Sequence, residues 1–315
     1  MTNSNSCPHL YGPVPSRRLG FSLGVDFIPF KTCSLDCIYC QLGKGSKTTT
    51  SRQSFLPAKI IIEEIKKKIS SGVRIDFITF SGSGEPTLNT EIGFLIQEIK
   101  KITDIPVAVL TNSTLLHRDE VRQALLPAAL VVPSLDAVTQ DVFEKTNRPH
   151  ESLKIKDIIS GLIKFRQEFK GEIWIEILLV KGVNDHEAHL QKLKEITSQV
   201  NPDKIQLNTV VRPPAEKFAS ALTLDELEKI RDLMGKNCEI IDTFEKTSSS
   251  QLQKNLELEE NLLAMIHRRP MTLADLSTSL GKPLNEVLNL IQVLKSEEKI
   301  KFVSHKGIEY YEPKV

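Results

Sequence analysis

The sequence predicts an α/β fold with a mostly parallel β-sheet, followed by a small helical unit that ends in a hairpin. Between residues 20 and 245, short β-branched runs alternate with segments whose apolar residues recur at helical spacing, as in right-handed β-α-β units. Near residue 245 the polar stretch EKTSSSQLQKN has the composition of a linker. We therefore expect two domains, at residues 1–248 and 249–315.

The six candidate strands are mostly continuous apolar runs, as expected of strands that are buried on both faces. They are LGVDFI (23–28), IDFITF (75–80), VAVLTN (107–112), ALVVPSL (129–135), IWIEILLV (173–180) and KIQLNTVV (204–211). Periodicity alone allows a barrel of about six strands or an open doubly wound sheet.

The segments between these strands carry helix signals. Ile61, Ile65 and Ile69 share one helical face, which predicts a helix that packs on the sheet. Thr223 and Glu226 have the spacing of a capping box and predict a helix that begins after Thr223.

The C-terminal unit reads as three helices and a hairpin, which is the element order of a winged helix. The second helix is expected to begin at Thr272 and the third after Pro283. The third carries apolar residues at helical spacing: Leu284, Val287, Leu288, Ile291 and Leu294. The segment KIKFVSHKGIEYYEP predicts a hairpin that turns near Lys306 and Gly307.

Charge argues against DNA binding by this unit. Residues 253–315 hold nine basic and nine acidic side chains, whereas duplex binding depends on neutralising phosphates. We expect a role in peptide or protein recognition, in dimerisation or in covering the barrel.

Composition indicates a globular protein with enough apolar material for one large core. Of the 315 residues, 40% are hydrophobic and 26% charged, and the formal net charge is +1, so no global attraction to nucleic acid or membrane is expected. The start of the chain lacks the pattern of a signal peptide, and we expect a cytoplasmic protein without membrane segments. Residues 1–60 have a local charge of +5, with seven basic and two acidic side chains. This segment could attract phosphate, RNA or an electron donor such as flavodoxin or ferredoxin, or be ordinary solvated surface.

Three of the five cysteines lie in KTCSLDCIYCQLGK (31–44), as Cys33, Cys37 and Cys40. A structural zinc site takes four ligands, so this triplet is one ligand short. Three thiolates instead suit a 4Fe-4S cluster that keeps one iron open for another ligand. The alternatives are unrelated cysteines or a zinc knuckle completed by His9 or Cys7.

At these residues the chain resembles the radical S-adenosylmethionine (SAM) superfamily, over about residues 10–245. The resemblance rests on the spacing Cys33-x3-Cys37-x2-Cys40, on Tyr39 before the last cysteine and on SGSGEPT at 81–87. Further segments resemble the group related to wyosine-synthesising iron-sulfur oxidoreductases: YGPVPSRRLGFSLGVD (11–26), SGSGEPTL (81–88), SLDA (134–137), NRP (147–149), KGVND (181–185) and NTVVRPPAE (208–216).

The resemblance implies a partial six-stranded (β/α) barrel, a 4Fe-4S cluster on the three cysteines, and SAM bound at the open iron. It also implies that SAM is cleaved reductively to a 5′-deoxyadenosyl radical, which abstracts hydrogen from a substrate. Wyosine-forming relatives are expected to carry further cluster ligands, whereas Cys7 and Cys238 are too few for a second all-cysteine cluster. The wyosine-forming reaction is therefore not assigned to this chain.

The segment SGSGEPT follows a predicted parallel strand, at the edge where α/β folds bind ligands. Gly82 and Gly84 would let a ligand approach the backbone, and Glu85 would accept hydrogen bonds from the SAM ammonium. Family members usually have Gly-Gly-Glu here, and this chain has Ser83 before Gly84 and Glu85. The other interpretation is a simple turn.

Further residues follow from strand ends and from the resemblance. Tyr39 would lie against adenine or pack the loop. Asn112, Ser134 and Asp136 would reach ribose or substrate, although Asp136 could cap the next helix and Ser134 could serve a turn. Asn147, Arg148, Asn208 and Arg212 also match family-like segments, and an arginine there indicates an anionic substrate group or a solvated surface.

The sequence thus predicts an oxygen-sensitive radical SAM enzyme whose substrate is an RNA nucleoside, a peptide or protein, or a metabolite. The alternatives are a non-catalytic regulator that senses SAM or redox state and acts through the winged helix, and a zinc-bound nucleic-acid module.

Overall fold

The computed structural model describes residues 9–16, 18–241, 255–305 and 307–314. The predicted domain boundary between residues 248 and 249 lies outside these ranges, as do Cys7, Arg17 and Lys306.

Most of the strands belong to one eight-stranded sheet. The strands of the N-terminal region are β1 (Leu10–Ser16), β2 (Gly20–Val25), β3 (Thr32–Cys33), β4 (Lys47–Thr48), β5 (Phe77–Phe80), β6 (Val107–Thr111), β7 (Leu130–Pro133), β8 (Glu172–Leu179), β9 (Lys204–Thr209) and β10 (Cys238–Ile240). The sheet has the order β1-β2-β5-β6-β7-β8-β9-β10, and β3 and β4 form a separate short pair. All six predicted strands are present, as β2 and β5 to β9.

The strand order decides between the two predicted sheet types. From β2 to β10 every neighbouring pair is parallel and the order follows the chain without reversal. A doubly wound sheet reverses its order at a switch point, and none occurs among the described strands. The sheet is therefore wound in one direction, as in a (β/α) barrel, and in the described residues β1 and β10 are not paired with each other.

The two outer strands are absent from the sequence-based prediction. β1 pairs antiparallel with β2 and has an irregular register between Tyr11 and Val14. Its sequence LYGPVPS contains two prolines, which are tolerated at a sheet edge because they cannot donate to a ladder. β10 is three residues long and pairs parallel with β9.

Helices connect the parallel strands. They are α1 (Ala58–Ser70), α2 (Ile92–Ile102), α3 (Asp119–Leu125), α4 (Gln140–Asn147), α5 (Ile155–Glu168), α6 (Glu187–Val200) and α7 (Leu224–Met234). A 3-10 turn spans Pro86–Leu88. The predicted helix with Ile61 and Ile65 is α1, which buries both side chains. The predicted capping box at Thr223 and Glu226 begins α7.

The core lies between these helices and one face of the sheet. The largest apolar cluster joins strand residues such as Ile78, Val109 and Ile175 to helix residues such as Ile65 and Leu162. The opposite face has its own small cluster, formed by Leu19, Ala108, Leu130, Val132 and Trp174. Alternate residues along each strand thus serve two different faces.

The C-terminal unit has the predicted element order. Its elements are α8 (Asn255–Arg268), α9 (Leu273–Leu280), α10 (Leu284–Ser296), β11 (Ile300–His305) and β12 (Ile308–Pro313). β11 and β12 are antiparallel, and an isolated bridge joins Met271 to Tyr311. α10 buries Val287, Ile291 and Leu294. Of its predicted apolar face, Leu284 and Leu288 are exposed.

This unit has a separate apolar core that also contacts the sheet region. Its buried residues include Leu262, Leu276 and Ile291, and Val14 of β1 packs against them. α8 therefore lies along the outer strand of the sheet. None of the described helices is long and apolar enough to cross a membrane.

Candidate functional site

The three clustered cysteines lie in the segment between β2 and α1. Cys33 ends the short strand β3, and the amide of Cys40 donates a 3.1 Å hydrogen bond to the carbonyl of Cys37, which makes a tight turn. All three thiols are free and half-buried. The chain thus presents three sulfurs from one short loop beside the carboxyl ends of the parallel strands.

Burial changes the protonation of these thiols. It raises the pKa of Cys33 to about 12, and the nearby Glu85 carboxylate adds to the rise. Burial also raises the pKa of Cys37 well above its ordinary value and raises that of Cys40. The metal-free thiols are therefore protonated near neutral pH, and binding of a metal centre must release those protons.

Two asparagine amides contact the sulfurs. Asn112 follows β6, and its Nδ2 lies 3.3 Å from Cys33 Sγ and 2.9 Å from Ser34 Oγ. Asn147 ends α4, and its Nδ2 lies 3.4 Å from Cys37 Sγ. N–H donors of this kind stabilise negative charge on sulfur and tune the reduction potential of iron-sulfur clusters.

Asp136 lies at the centre of a buried polar cluster next to this loop. It accepts hydrogen bonds from the hydroxyl of Tyr39, from Asn147 Nδ2 at 2.8 Å and from the amide of Leu178 at 2.8 Å. Burial raises its pKa to about 6 although these bonds act in the opposite direction. Asp136 does not cap the next helix, because the N-cap of α4 is Thr139.

Tyr39 is tied to the barrel through this cluster. A cavity of about 20 Å³ lies beside Tyr39 and Asp136, which is roughly the space of one water molecule. The hydroxyl of Tyr39 therefore orients the cysteine loop, while contact of its ring with adenine stays a prediction.

Glu85 is 2% exposed and connects the SGSGEPT segment to β6. Its Oε1 accepts hydrogen bonds from Thr87 N and from the hydroxyls of Thr87 and Thr111, and its Oε2 accepts one from Asn112 N at 2.7 Å. Burial raises its pKa. Glu85 thereby fixes the backbone of Asn112, whose side chain contacts Cys33.

The glycines of this segment are required by close packing of protein atoms. A Cβ on Gly82, which has φ +148°, would lie 2.3 Å from the Asp26 carboxylate, and one on Gly84 would lie 2.3 Å from Thr32 O. Ser83 binds Asp26 through its amide at 3.1 Å and its hydroxyl at 2.6 Å. Protein atoms occupy the space beside these glycines, so their contact with a ligand stays a prediction.

The other candidates have different surroundings. Ser134 accepts a hydrogen bond from Ser113 through its carbonyl and forms a bridge to Glu176. Asn208 binds Glu176 at 3.1 Å. Ser134 also lines the small cavity beside Tyr39 and Asp136, whereas no described contact joins Asn208 to the cysteine loop.

The predicted arginines also differ. Arg148 ends α4 in a left-handed conformation and forms a 2.7 Å ion pair with Glu216, which also binds Lys44 at 2.6 Å. The ion pairs lower the pKa of Glu216. Arg212 Nη1 is buried without a hydrogen-bond partner among the described residues.

Sequence reasoning missed Asp26 and Thr111 as parts of this site. In the structure Asp26 directly follows β2 and Thr111 ends β6, whereas the predicted strands ran past both residues, so no clear signal in the sequence pointed to them. Their partners, Ser83 and Glu85, come from another strand end and become neighbours only in the folded sheet.

The basic N-terminal segment is partly used within the protein. Arg18 pairs with Glu176 at 3.1 Å, Lys31 binds the carbonyl of Gly43, and Arg52 binds the carbonyl of Thr87 at 2.8 Å. Less charge is therefore free for RNA or a redox partner than the local +5 implies.

A single-ion zinc site is not formed by the described residues, which contain no group of three or more His, Cys, Asp or Glu side chains arranged around one ion. His9, named as a possible fourth zinc ligand, binds Glu64 of α1 through Nδ1 at 2.8 Å. The donor set instead is three sulfurs from one loop with amide donors beside two of them. That set fits a cluster with three cysteine ligands.

Residues 27–193 match the model of the radical SAM superfamily. The chain belongs to the radical SAM superfamily. Its members use a 4Fe-4S cluster and SAM, and membership makes this protein an enzyme of that superfamily. A UPF0026 protein of Methanocaldococcus jannaschii is 33% identical over 96% of this chain and 94% of its own length. A protein of Brachyspira hyodysenteriae named GTPase Obg is 40% identical over 93% of this chain, but this radical SAM chain spans only 43% of that relative.

Two solved structures share the fold. A radical SAM methyltransferase from Sphaerobacter thermophilus matches with TM-score 0.50 and 16% identity, over 70% of this chain and 66% of that one. Streptococcus suis SuiB bound to S-adenosylmethionine matches with TM-score 0.51 and 15% identity, over 67% and 48%. The expected radical SAM fold is thus confirmed.

Proposed function

We propose that this radical SAM enzyme holds a 4Fe-4S cluster on Cys33, Cys37 and Cys40 and binds SAM at the iron that has no cysteine ligand. When bound, the cluster and SAM supply one-electron reductive cleavage of the sulfonium and hydrogen abstraction from a substrate. The observation that carries the proposal is the group of three free thiols in one loop, with Asn112 and Asn147 donating to two of the sulfurs.

The residues around the loop have separate tasks in this proposal. The amides of Asn112 and Asn147 stabilise the charge on Cys33 and Cys37, and Glu85 holds the backbone of Asn112. Tyr39 and Asp136 hold the loop against β8 through the amide of Leu178. These contacts keep the sulfurs in place before a cluster binds, which lowers the cost of ordering them.

The SAM site extends along the carboxyl ends of the strands. Glu85 Oε2 receives one described hydrogen bond, from Asn112 N, and a carboxylate oxygen can accept more than one. It is thus suited to accept a bond from the SAM ammonium. The proposed SAM-binding residues are Tyr39, Gly82, Ser83, Gly84, Glu85, Asn112, Ser134 and Asp136.

The substrate is proposed to be an RNA nucleoside, a peptide or protein, or a metabolite, and the reductant a flavodoxin or ferredoxin in the cytoplasm. Residues 1–248 form the catalytic domain in this proposal, and residues 249–315 a winged-helix-like domain. Saturable binding of purified tRNA to the full-length protein would favour the RNA nucleoside. Absence of binding would favour the other two classes.

The cluster is tested by anaerobic reconstitution of wild-type protein and of Cys33→Ala, Cys37→Ala and Cys40→Ala. Cys238→Ala is the matched control, because Cys238 is also a free cysteine but lies in β10. We expect about four irons and four sulfides per chain in the wild type and the control, and far less in the other three variants. Full iron content in Cys37→Ala, or stoichiometric zinc in place of iron, would reject the proposed cluster.

A further inference from the structure

Arg268, at the end of α8 in the C-terminal unit, reaches the edge of the sheet near the candidate site. Its side chain is 22% exposed. Nη1 donates to the carbonyl of Ala264 at 3.1 Å and Nη2 to the carbonyl of Leu10 in β1 at 3.2 Å. Two donors of the planar guanidinium are thus fixed, one on its own helix and one on β1, which sets the plane of the group.

The same guanidinium contacts two side chains of the sheet region. It lies over the ring of Tyr11, with Cζ 4.3 Å from the ring centroid, and its Nε lies 3.9 Å from Asp26 Oδ2. The Nε atom is buried without a hydrogen-bond partner among the described residues. A positive charge here attracts the Asp26 carboxylate and favours the aromatic face.

Both side chains hold the SGSGEPT segment on their other side. Asp26 accepts from the amide and the hydroxyl of Ser83, and Tyr11 Oη lies 2.7 Å from Ser81 Oγ. Gly82 packs so closely on Asp26 that no side chain fits between them. The path from α8 to the segment is therefore continuous: Arg268 contacts Asp26 and Tyr11, which bind Ser83 and Ser81.

We infer that Arg268 is a positioning residue for the SGSGEPT segment, acting through Asp26 and Tyr11, and that the C-terminal unit thereby completes the SAM-binding edge of the barrel. The first part concerns the protein without cofactors. The second rests on the proposed function, since it takes this segment as part of the SAM site.

Hydrogen exchange of residues 81–85 in the cluster-free, full-length protein tests the first part. Arg268→Gln keeps much of the packed side chain but removes the charge and the guanidinium plane. Arg231→Gln is the matched control, because Arg231 on α7 pairs with Glu228 and Asp232 of its own helix. We expect the amide of Ser83 to exchange about tenfold faster in Arg268→Gln, the change expected when one hydrogen bond is lost. Exchange of this amide should be unchanged in Arg231→Gln. Arg268→Lys, which restores the charge, should recover part of the protection.

A double-mutant cycle with Asp26→Asn separates positioning from general docking. If Arg268 acts through Asp26, the double variant exchanges about as fast as Asp26→Asn alone. The inference would be overturned if the increases in exchange rate caused by Arg268→Gln and Asp26→Asn multiply in the double variant. Equal exchange rates in Arg268→Gln and Arg231→Gln would also overturn it. Faster exchange throughout α10 in Arg268→Gln would also overturn it, since the contact would then only stabilise the C-terminal unit.

The second part of the inference is tested by titrating SAM into reconstituted protein. We expect Arg268→Gln to keep its full iron content but to need about fivefold more SAM to change the electron paramagnetic resonance spectrum of the reduced cluster. Unchanged SAM titration would refute the second part. A wild-type protein that holds no cluster would refute the proposed function, while the exchange experiment would still decide the role of Arg268.

Discussion

Replacing Asp136 by alanine removes the acceptor that joins the cysteine loop to β8. Two buried donors lose their acceptor, the Tyr39 hydroxyl and the amide of Leu178, whereas Asn147 Nδ2 keeps its contact with Cys37 Sγ. Each unsatisfied buried donor costs about 1–3 kcal/mol, and a water in the adjacent cavity can satisfy one. The one remaining donor gives a loss of about 2 kcal/mol in the free energy of unfolding.

The loss depends on pH because the carboxylate is buried. A rise in the pKa of Asp136 from 3.8 to about 6 means that the fold favours the protonated acid, by about 3 kcal/mol. The contribution of this group to stability is therefore largest below the unfolded pKa and is lost as pH rises through the folded pKa. The variant lacks this group, so the difference between wild type and Asp136→Ala should shrink by about 2 kcal/mol between about pH 4.5 and about pH 7.5.

Urea unfolding of the metal-free proteins, followed by circular dichroism at both pH values, measures this difference. Asp225→Ala is the control, since Asp225 is exposed in the first turn of α7 and its loss should cost well under 1 kcal/mol at either pH. A difference that grows with pH, or one below about 1 kcal/mol at the lower pH, would refute the assignment of Asp136 as a buried anchor.

Three further changes have defined outcomes. Asn112→Leu removes the donor at 3.3 Å from Cys33 Sγ and should lower the reduction potential of the cluster. A redox titration monitored by electron paramagnetic resonance measures this potential, and an unchanged value would exclude the hydrogen bond to Cys33. Thr223→Ala removes the capping box with Glu226 and should lower the free energy of unfolding by about 1 kcal/mol in urea, whereas no loss would mean that the cap is replaced by solvent. Ile291→Ala truncates a side chain that is 2% exposed and should destabilise the C-terminal unit by about 2–5 kcal/mol. Hydrogen exchange of the α10 amides measures this loss, and equal exchange rates in wild type and variant would contradict the packing of this core.

The parallel strands and several helices were predictable because local sequence carries their signals. The continuous apolar runs of β5 to β9 and the helical spacing in α1 identify their elements without tertiary information. The edge strands could not be predicted, because β1 contains two prolines and β10 is only three residues long. Their pairing is decided by neighbouring strands.

The cysteine triplet could be recognised in the sequence, but its hydrogen bonds to the rest of the fold could not. The spacing of Cys33, Cys37 and Cys40 is local and specific, whereas Asn147 lies 110 residues from Cys37 in the sequence. The role of Glu85 illustrates the limit. Its position indicated ligand binding, but its hydrogen bonds to Thr87, Thr111 and Asn112 depend on a fold that brings two strand ends together.

The contact between the C-terminal unit and the sheet was also beyond sequence reasoning. Covering of the barrel was one of several roles expected for that unit, and no pattern singled out Arg268. Its partners Leu10, Tyr11 and Asp26 lie more than 200 residues earlier in the chain, and only the packing of α8 along β1 places them together.

The most direct test of the central claim is quantification of 5′-deoxyadenosine after anaerobic reconstitution with iron and sulfide and addition of dithionite and SAM. Cys37→Ala and Cys238→Ala serve as the inactive and active comparisons. The proposed function predicts 5′-deoxyadenosine from the wild type and from Cys238→Ala, and none above background from Cys37→Ala. Equal amounts from wild type and Cys37→Ala, or none from a wild type that holds four irons even when cell extract supplies substrates, would contradict it.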